Sequence, residues 1–247
     1  MKACKFFLII CIAFIFGVLL TVVFPWAGMN GSSFEAAVLR GVSRLAYAVQ
    51  SQPKATVLLP VKFDKQDQSL SCEVATLKMA LAYRGKKVSE KELLEKIGFD
   101  PTPKSTSNGE TIWGDPQKGF VGRVNGKMLV DGYGVYWHPV AAASNAYGQY
   151  AVAFENGGVA DLVLALQAGN PIIVWGYLGS GKPTSWKTPE GKSIHAVYYE
   201  HTFVVRGFAG SAEDPLGFFV IDPIYGPVYF PKEIFLKKWD AFGRSGV

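Results

Sequence analysis

The chain has 247 residues, of which 49% are hydrophobic and 18% are charged. This composition is typical of a globular protein of one or two domains, and it excludes an intrinsically disordered chain. The formal net charge of +5 arises from 25 basic and 20 acidic residues that are spread along the chain without a Lys/Arg run. We therefore expect no nucleic-acid partner.

An apolar segment dominates the N-terminal region. Lys2 and Lys5 precede an uncharged stretch from Phe6 to Trp26, which as a helix reaches roughly 31 Å and spans a bilayer core. Basic residues before the stretch favour an N-terminus inside the cell. The sequence predicts that residues 1–28 form a single-pass anchor in the lipid bilayer, or an uncleaved signal sequence. Later cleavage near Ala27-Gly28-Met29 stays open.

The remainder of the chain divides into a connecting segment and one domain. Residues 29–55 begin with apolar side chains at helical spacing and end in a polar stretch that contains Pro53, which predicts an amphipathic helix and a linker. Residues 56–247 contain the predicted elements of a single domain. Since the N-terminus is expected inside, this domain is expected on the extracytoplasmic side of the membrane.

Helix patterns dominate the first part of this domain and strand patterns dominate its last third. An apolar stripe predicts a helix from Cys72 to about Arg84, and the Ser89-x-x-Glu92 capping box opens a second helix. Residues 99–134 lack periodicity and are expected to form an ordered surface or a cleft wall. Further helices are expected to start at His138 and to cover residues 158–168 and 231–242. Strands are expected at residues 56–61, 171–178, 202–208, 218–222 and 228–230. Helices followed by an antiparallel sheet predict the α+β class.

Cys72 is the one cysteine of the predicted exported part, because Cys4 and Cys11 lie in or beside the apolar stretch. An internal disulfide is therefore excluded. Cys72 stands at a predicted helix start, where free backbone N–H groups and the helix dipole favour a thiolate. Two interpretations stay open from composition alone: a buried structural thiol and a nucleophile.

The residues that a cysteine nucleophile needs are present. Attack on a carbonyl requires a base, a group that orients the base, and donors for the oxyanion. His201 heads an apolar strand and Asp222 ends the next one, so adjacent antiparallel strands would bring their side chains together. Gln66, six residues before Cys72, is a candidate oxyanion donor beside the Cys72 N–H, with Gln68 as the alternative.

Three motifs together resemble a known family: Gln66-x5-Cys72-Glu-Val-Ala-Thr-Leu-x-Met-Ala, His201-Thr-x-Val-Val-x-Gly-Phe and Phe-Val-Ile-Asp222-Pro. They are similar to the papain-like cysteine peptidases of the bacteriocin-processing (double-glycine leader) group, and more closely to stand-alone exported bacterial relatives. The resemblance covers roughly residues 57 to 242. It implies a papain-like fold, with an N-terminal helical part that carries the nucleophile helix and a C-terminal antiparallel sheet.

The same resemblance implies roles for individual residues. Cys72 is expected to be the nucleophile, His201 the general base and then acid, Asp222 the orienting group, and Gln66 a donor in the oxyanion hole. Trp113-Gly114-Asp115 is similar to a further family segment and is assigned to substrate binding. One position departs from the pattern of transporter-linked members, which carry glycine after the nucleophile where this chain has a glutamate.

These expectations combine into a membrane-anchored, extracytoplasmic cysteine peptidase that cleaves amide bonds of a peptide or protein through a thioester. No cofactor and no metal are expected, since His195 near His201 lacks a carboxylate or cysteine at metal-ligand spacing. Two alternatives stay open: a catalytically inactive peptide-binding module of the same fold, and a cysteine-dependent acyltransferase or amidase acting on cell-wall peptides. The oligomeric state is left open.

Overall fold

The computed structural model describes residues 53–247. The predicted anchor over residues 1–28 and nearly all of the predicted segment 29–55 lie outside the described residues. Among the residues that are described, no helix has the length and apolar character needed to cross a bilayer. Residues from Pro53 to Val247 form one structural unit.

Helices and strands are mixed along this unit. The helices are α1 (Cys72–Tyr83), α2 (Glu90–Ile97), α3 (Trp137–Ala146), α4 (Val159–Gln167) and α5 (Lys232–Asp240). The strands are β1 (Ala55–Leu58), β2 (Phe99–Asp100), β3 (Ser105–Ser107), β4 (Glu110–Ile112), β5 (Phe120–Val121), β6 (Ile172–Tyr177), β7 (Pro183–Lys187), β8 (Ser193–Val197), β9 (Glu200–Gly210), β10 (Pro215–Asp222) and β11 (Gly226–Pro231). The predicted α+β class is confirmed.

The longest strand, β9, organises the main sheet. Its first half pairs with β6 and its second half with β1, both antiparallel, while β10 runs antiparallel along its other edge and pairs in turn with β11. The register sets Glu200 opposite Tyr177 and His201 opposite Gly176. The head of β9 is therefore fixed on the sheet by its pairing with the end of β6.

Helix α1 is buried on several sides. Val74, Leu77 and Leu81 pack in one hydrophobic cluster with aromatic side chains from residues 113–137. Met79 packs in a second cluster with side chains of β9, β10, α4 and α5. A helix that is buried all round needs apolar or fully bonded side chains. Its first residue, Cys72, is consequently held inside the protein.

The second helix begins as its sequence predicts. The Ser89 hydroxyl accepts a hydrogen bond from the Glu92 N–H, and the Glu92 carboxylate accepts one from the Ser89 N–H, which together form a capping box. The segment expected to lack regular structure, residues 99–134, contains four short strands. Two of them, β3 and β4, join β7 and β8 in a second, four-stranded sheet that the sequence did not predict.

Candidate active site

The first turn of α1 lies against the head of β9. Cys72 is 4% exposed, and the Thr202 backbone lowers the pKa of its thiol, against the larger effect of burial. One turn further along α1, the hydroxyl groups of Thr76 and Thr202 are 3.1 Å apart and share a buried hydrogen bond. This contact fixes the position of the cysteine relative to the strand that carries His201.

His201 and Asp222 form a buried pair across β9 and β10. His201 Nε2 lies 3.1 Å from Asp222 Oδ1, and both side chains are almost fully buried. The same Oδ1 accepts hydrogen bonds from the backbone N–H groups of Ile224 and Tyr225, at 2.7 and 3.1 Å. Burial alone would raise the pKa of Asp222, but the hydrogen bond and charge of His201 and these two N–H groups hold it below its ordinary value.

The pairing decides which imidazole nitrogen faces the rest of the site. An ionised carboxylate only accepts hydrogen bonds, so the proton lies on Nε2 and Nδ1 is left as an acceptor. The imidazole also packs edge-on against Phe203, with ring centroids 5.0 Å apart. His201 is thus held in one orientation with Nδ1 available as a base.

Cys72 and His201 line the same cavity, which has a volume of about 120 Å³. Gln66 and Glu200 line it as well, and the other lining residues are Ser69, Leu70, Met128, Tyr133, Leu178, Tyr199 and Ile224. The structure therefore brings three of the predicted site residues to one cavity and attaches Asp222 to it through His201. No hydrogen bond joins the sulfur to the imidazole in the described part of the chain, because the thiol donates to Glu73 Oε2 at 3.2 Å.

Two buried carboxyl groups lie beside the Cys72 thiol. Glu73 Oε1 accepts a hydrogen bond from the Val135 N–H at 2.7 Å, and its Oε2 accepts the thiol of Cys72. Both oxygens of Glu200 are buried and have no hydrogen-bond partner among the described residues. Burial raises the pKa of Glu73 to about 7 against the opposing effect of its hydrogen bonds, and burial and the charge of Glu73 raise the pKa of Glu200 well above its ordinary value.

The expected thiolate is contradicted by this environment. Burial raises the pKa of the Cys72 thiol well above its usual range, and the charges of Glu73 and Glu200 raise it further. The Thr202 backbone has the opposite effect but is outweighed. The helix-start argument was wrong here because desolvation and two neighbouring carboxyl groups exceed the contribution of a helix N-terminus.

The Gln66 amide does not point a free donor into the cavity. Its Nε2 donates to the carbonyl oxygens of Gln68 and Ser69, at 2.7 and 3.1 Å, and its Oε1 is buried without a partner among the described residues. The Gln66 backbone N–H donates to the Pro223 carbonyl at 3.0 Å, which ties the loop before α1 to the turn after Asp222. The alternative donor, the Gln68 side chain, is exposed.

The segment Trp113-Gly114-Asp115, which the sequence assigns to substrate binding, lies outside the cavity that Cys72 lines. Trp113 is 2% exposed and packs against Trp186, with ring centroids 5.4 Å apart. The Gly114 carbonyl accepts the Trp186 indole N–H, and Asp115 pairs with Lys192 at 2.9 Å. None of Trp113, Gly114 and Asp115 lines the cavity that Cys72 lines. Their contacts hold the second sheet against the core, and their assignment to substrate binding stays a prediction.

The sequence motifs assigned no role to the carboxyl groups of Glu73 and Glu200 or to the glycine beside them. A Cβ atom on Gly134 would lie 2.2 Å from Glu73 Oε1 and 3.0 Å from Glu200 Oε2, so no larger residue fits between the two carboxyl groups. A signal was present, since each glutamate adjoins a predicted catalytic residue in an otherwise apolar segment. Buried acidic residues in such segments are rare unless they are bonded or functional.

The Glu73→Gln substitution should flatten the pH dependence of stability. A carboxyl group whose pKa is raised by folding, from 4.5 to about 7, binds its proton more tightly in the folded than in the unfolded chain. The stabilisation that protonated Glu73 provides is therefore complete below pH 4.5 and is lost as the pH rises through 7. Between these values the free energy of unfolding falls by up to about 1.4 kcal/mol per pH unit. Urea unfolding of the full chain at several pH values, with a chelator present, measures this slope.

The matched control is Glu213→Gln, which changes an exposed glutamate outside the site. This control should keep the wild-type slope. Equal slopes in wild type and Glu73→Gln would contradict the raised pKa.

Comparison with known proteins identifies the family. The model of the Peptidase_C39 like family matches residues 58–247. The uncharacterized protein YvpB of Bacillus subtilis (strain 168) is 32% identical over 184 residues, which are 71% of this chain and 67% of that protein. The chain therefore belongs to the Peptidase_C39-like family, as the motifs predicted.

Two solved structures are similar to the chain. A protein described as a C39-like peptidase from Bacillus anthracis superposes with a TM-score of 0.63 and 26% identity, over 78% of this chain and 96% of that one. A double glycine motif protease from an AMS/PCAT transporter, in complex with the leader peptide, gives a TM-score of 0.45 and 20% identity over 80% and 96% of the two chains. The α+β architecture is thus that of a C39-like peptidase.

Proposed function

We propose that this member of the Peptidase_C39-like family hydrolyses peptide amide bonds, with Cys72 as nucleophile and His201 as general base and acid. The observation that carries the proposal is the shared cavity: the thiol and an imidazole oriented by Asp222 line the same 120 Å³ space. Family membership supports a cysteine peptidase type of chemistry. The substrate class that follows is a peptide or a protein.

The resting thiol is protonated and bonded to Glu73, so attack begins with a change in the cysteine rotamer. The thiol turns from Glu73 toward His201 Nδ1, which accepts the proton as the sulfur adds to the scissile carbonyl carbon. Asp222 stabilises the imidazolium that forms. The imidazolium then protonates the leaving amine, and a water activated by the same histidine hydrolyses the thioester.

The oxyanion of the tetrahedral intermediate needs donors near the sulfur. The Cys72 N–H is one, because the first N–H groups of a helix have no partner within it. Gln66 supplies the second when its amide exchanges one of the two backbone carbonyls it now bonds for the substrate oxygen. The bond from its backbone N–H to Pro223 keeps Gln66 beside the His201–Asp222 pair during this exchange.

Removal of the Cys72 side chain should abolish covalent labelling, and removal of the His201 imidazole should slow it. The full-length wild type, treated with a peptidyl vinyl sulfone at neutral pH, is expected to form an adduct on Cys72, detected by mass spectrometry. Cys72→Ala should form none at this site, and His201→Ala should react about 10²–10⁴-fold more slowly because the base is lost. The control His195→Ala changes a histidine whose Nε2 contacts the Ala241 carbonyl outside the cavity and should label normally.

A wild-type protein in which Cys72 stays unlabelled would contradict the proposed peptidase activity. The bond between the thiol and Glu73 is the observation that favours the competing function, an inactive peptide-binding module. Under that function Cys72→Ala binds peptides as the wild type does and no acyl-enzyme accumulates. An adduct together with transfer of the acyl group to added amines, in preference to water, would instead indicate the cysteine-dependent acyltransferase.

Gln66→Ala should lower kcat by about 10²-fold with little change in KM, since an oxyanion donor acts mainly in the transition state. The matched control is Gln68→Ala, which removes an exposed amide two residues away and should retain wild-type kcat. A peptide substrate selected from a mixed library provides both constants. Equal kcat values for the two variants would remove Gln66 from the oxyanion hole.

The proposal includes an extracytoplasmic location with the N-terminal segment as membrane anchor. The support is the uncharged stretch from Phe6 to Trp26 behind two lysines. Full-length protein and the control Phe16→Leu are expected to stay in the membrane pellet after alkaline extraction. Phe16→Arg should be released, because an arginine at the middle of the span costs about 3 kcal/mol. Release of the wild type, or a pellet that retains Phe16→Arg, would contradict the anchor.

A further inference from the structure

We propose that Cys72, Glu73 and Glu200 form a binding site for Zn²⁺, in which the metal ion replaces the thiol proton and occupies the nucleophile. The sulfur and one carboxylate oxygen from each glutamate all lie within 4.8 Å of one another. All three residues are buried. The site therefore offers one soft and two hard donor atoms at a single point inside the protein.

The distances agree with a tetrahedral metal. Bond lengths of 2.0–2.3 Å to zinc set neighbouring ligand atoms about 3.3–3.8 Å apart. The Cys72 sulfur and Glu73 Oε2 are already 3.2 Å apart, with a proton between them. The Glu200 oxygen lies within 4.8 Å of both, so it has to approach by at most about 1.5 Å, which a rotation of its side chain provides.

The Glu200 carboxyl group is the independent sign of a missing ligand. It is 3% exposed, and neither oxygen has a hydrogen-bond partner among the described residues. Buried polar groups without partners are rare in native structures, since each one costs about 1–3 kcal/mol. Glu200 lines the cavity, so an ion that enters there reaches its free oxygens without breaking an existing bond.

Glu73 is held in the orientation of a ligand. The Val135 N–H fixes its Oε1 at 2.7 Å, and its Oε2 is directed at the sulfur. The close approach of Gly134 to an oxygen of each glutamate shows that both carboxyl groups converge on one place. A hydrogen bond that orients a ligand in this way is a common feature of metal sites.

The ionised form of this site has no counter-charge among the described residues. The described structure contains no ion pair between a lysine or arginine and either Glu73 or Glu200, and no basic group contributes to the raised pKa of either residue. With the ion bound, the thiolate and two carboxylates carry three negative charges against the two positive charges of the metal. The thiol proton and any carboxyl protons are released to water, and no group is oxidised or reduced.

The one sulfur and two oxygen ligand atoms of this site favour some metal ions over others. Thiolate favours zinc and cadmium, whereas Mg²⁺ and Ca²⁺ require six or more oxygen ligands, which this site lacks. Three protein ligands leave a fourth position, which faces the cavity and takes a water molecule. The consequence for catalysis rests on the proposed function: a zinc-bound sulfur cannot attack a carbonyl, so zinc inhibits the peptidase reversibly.

Metal binding by the full-length protein tests the inference without any substrate. Zn²⁺ affinity is measured by competition with a chromophoric chelator, and Cd²⁺ is added separately to detect the ultraviolet sulfur-to-cadmium charge-transfer band. The wild type should bind one equivalent of Zn²⁺ and show the band. Cys72→Ser should lose the part of the band that arises from Cys72, since Cys4 and Cys11 are present in both proteins. Glu200→Gln should lower the Zn²⁺ affinity by about tenfold or more.

Glu213→Gln is the matched control and should bind zinc as the wild type does, because Glu213 is an exposed glutamate outside the site. Thermal unfolding without metal establishes that each variant is folded, and zinc should raise the Tm of the wild type but not of Glu200→Gln. A wild type that binds no tighter than Cys72→Ser, or a folded Glu200→Gln with wild-type affinity, would overturn the site. These readouts need no catalysis, so they remain valid if the peptidase proposal fails.

Discussion

Burial of the first turn of α1 against the head of β9 is the constraint from which the chemistry of this protein follows. The shared hydrogen bond of the Thr76 and Thr202 hydroxyl groups joins helix and strand at this point. Because water is excluded, every polar group there needs a partner within the protein. Cys72 obtains one from Glu73, whereas the carboxylate oxygens of Glu200 have none among the described residues. The same burial that positions the nucleophile therefore also holds it in its protonated form.

The position of His201 beside Asp222 depends on the main sheet. Antiparallel pairing of β9 and β10 brings the head of one strand to the end of the other, which sets His201 beside Asp222. Asp222 also accepts the N–H groups of the turn that follows it, so one carboxylate stabilises the hairpin and orients the imidazole. An aspartate before a proline often only stabilises a turn. Asp222 does this and also orients the His201 imidazole. Substitution of Asp222 will accordingly affect both stability and the imidazole.

The features that the sequence predicted are those set by neighbours along the chain or by a single strand pairing. The capping box at Ser89 and the His201–Asp222 contact are of this kind. The ionisation of Cys72 was predicted wrongly because it depends on burial and on Glu200, which is 128 residues away in sequence. The second sheet was missed for a similar reason, since β3 and β4 are short strands and β4 joins the sheet through β7, which lies more than 70 residues later. Periodicity over three residues cannot reveal such pairing.

The environment of Cys72 also bears on which substrates can be cleaved. In the proposed mechanism the thiol turns toward His201, and Glu73 then loses a hydrogen bond inside the protein, which costs about 1–3 kcal/mol. That free energy must come from substrate binding, as must the exchange of the Gln66 bonds with its two backbone carbonyls. A cavity of 120 Å³ encloses little more than the scissile group. Only a substrate with contacts outside the cavity supplies enough binding energy, so short peptides are expected to be cleaved poorly even where the bond itself is suitable.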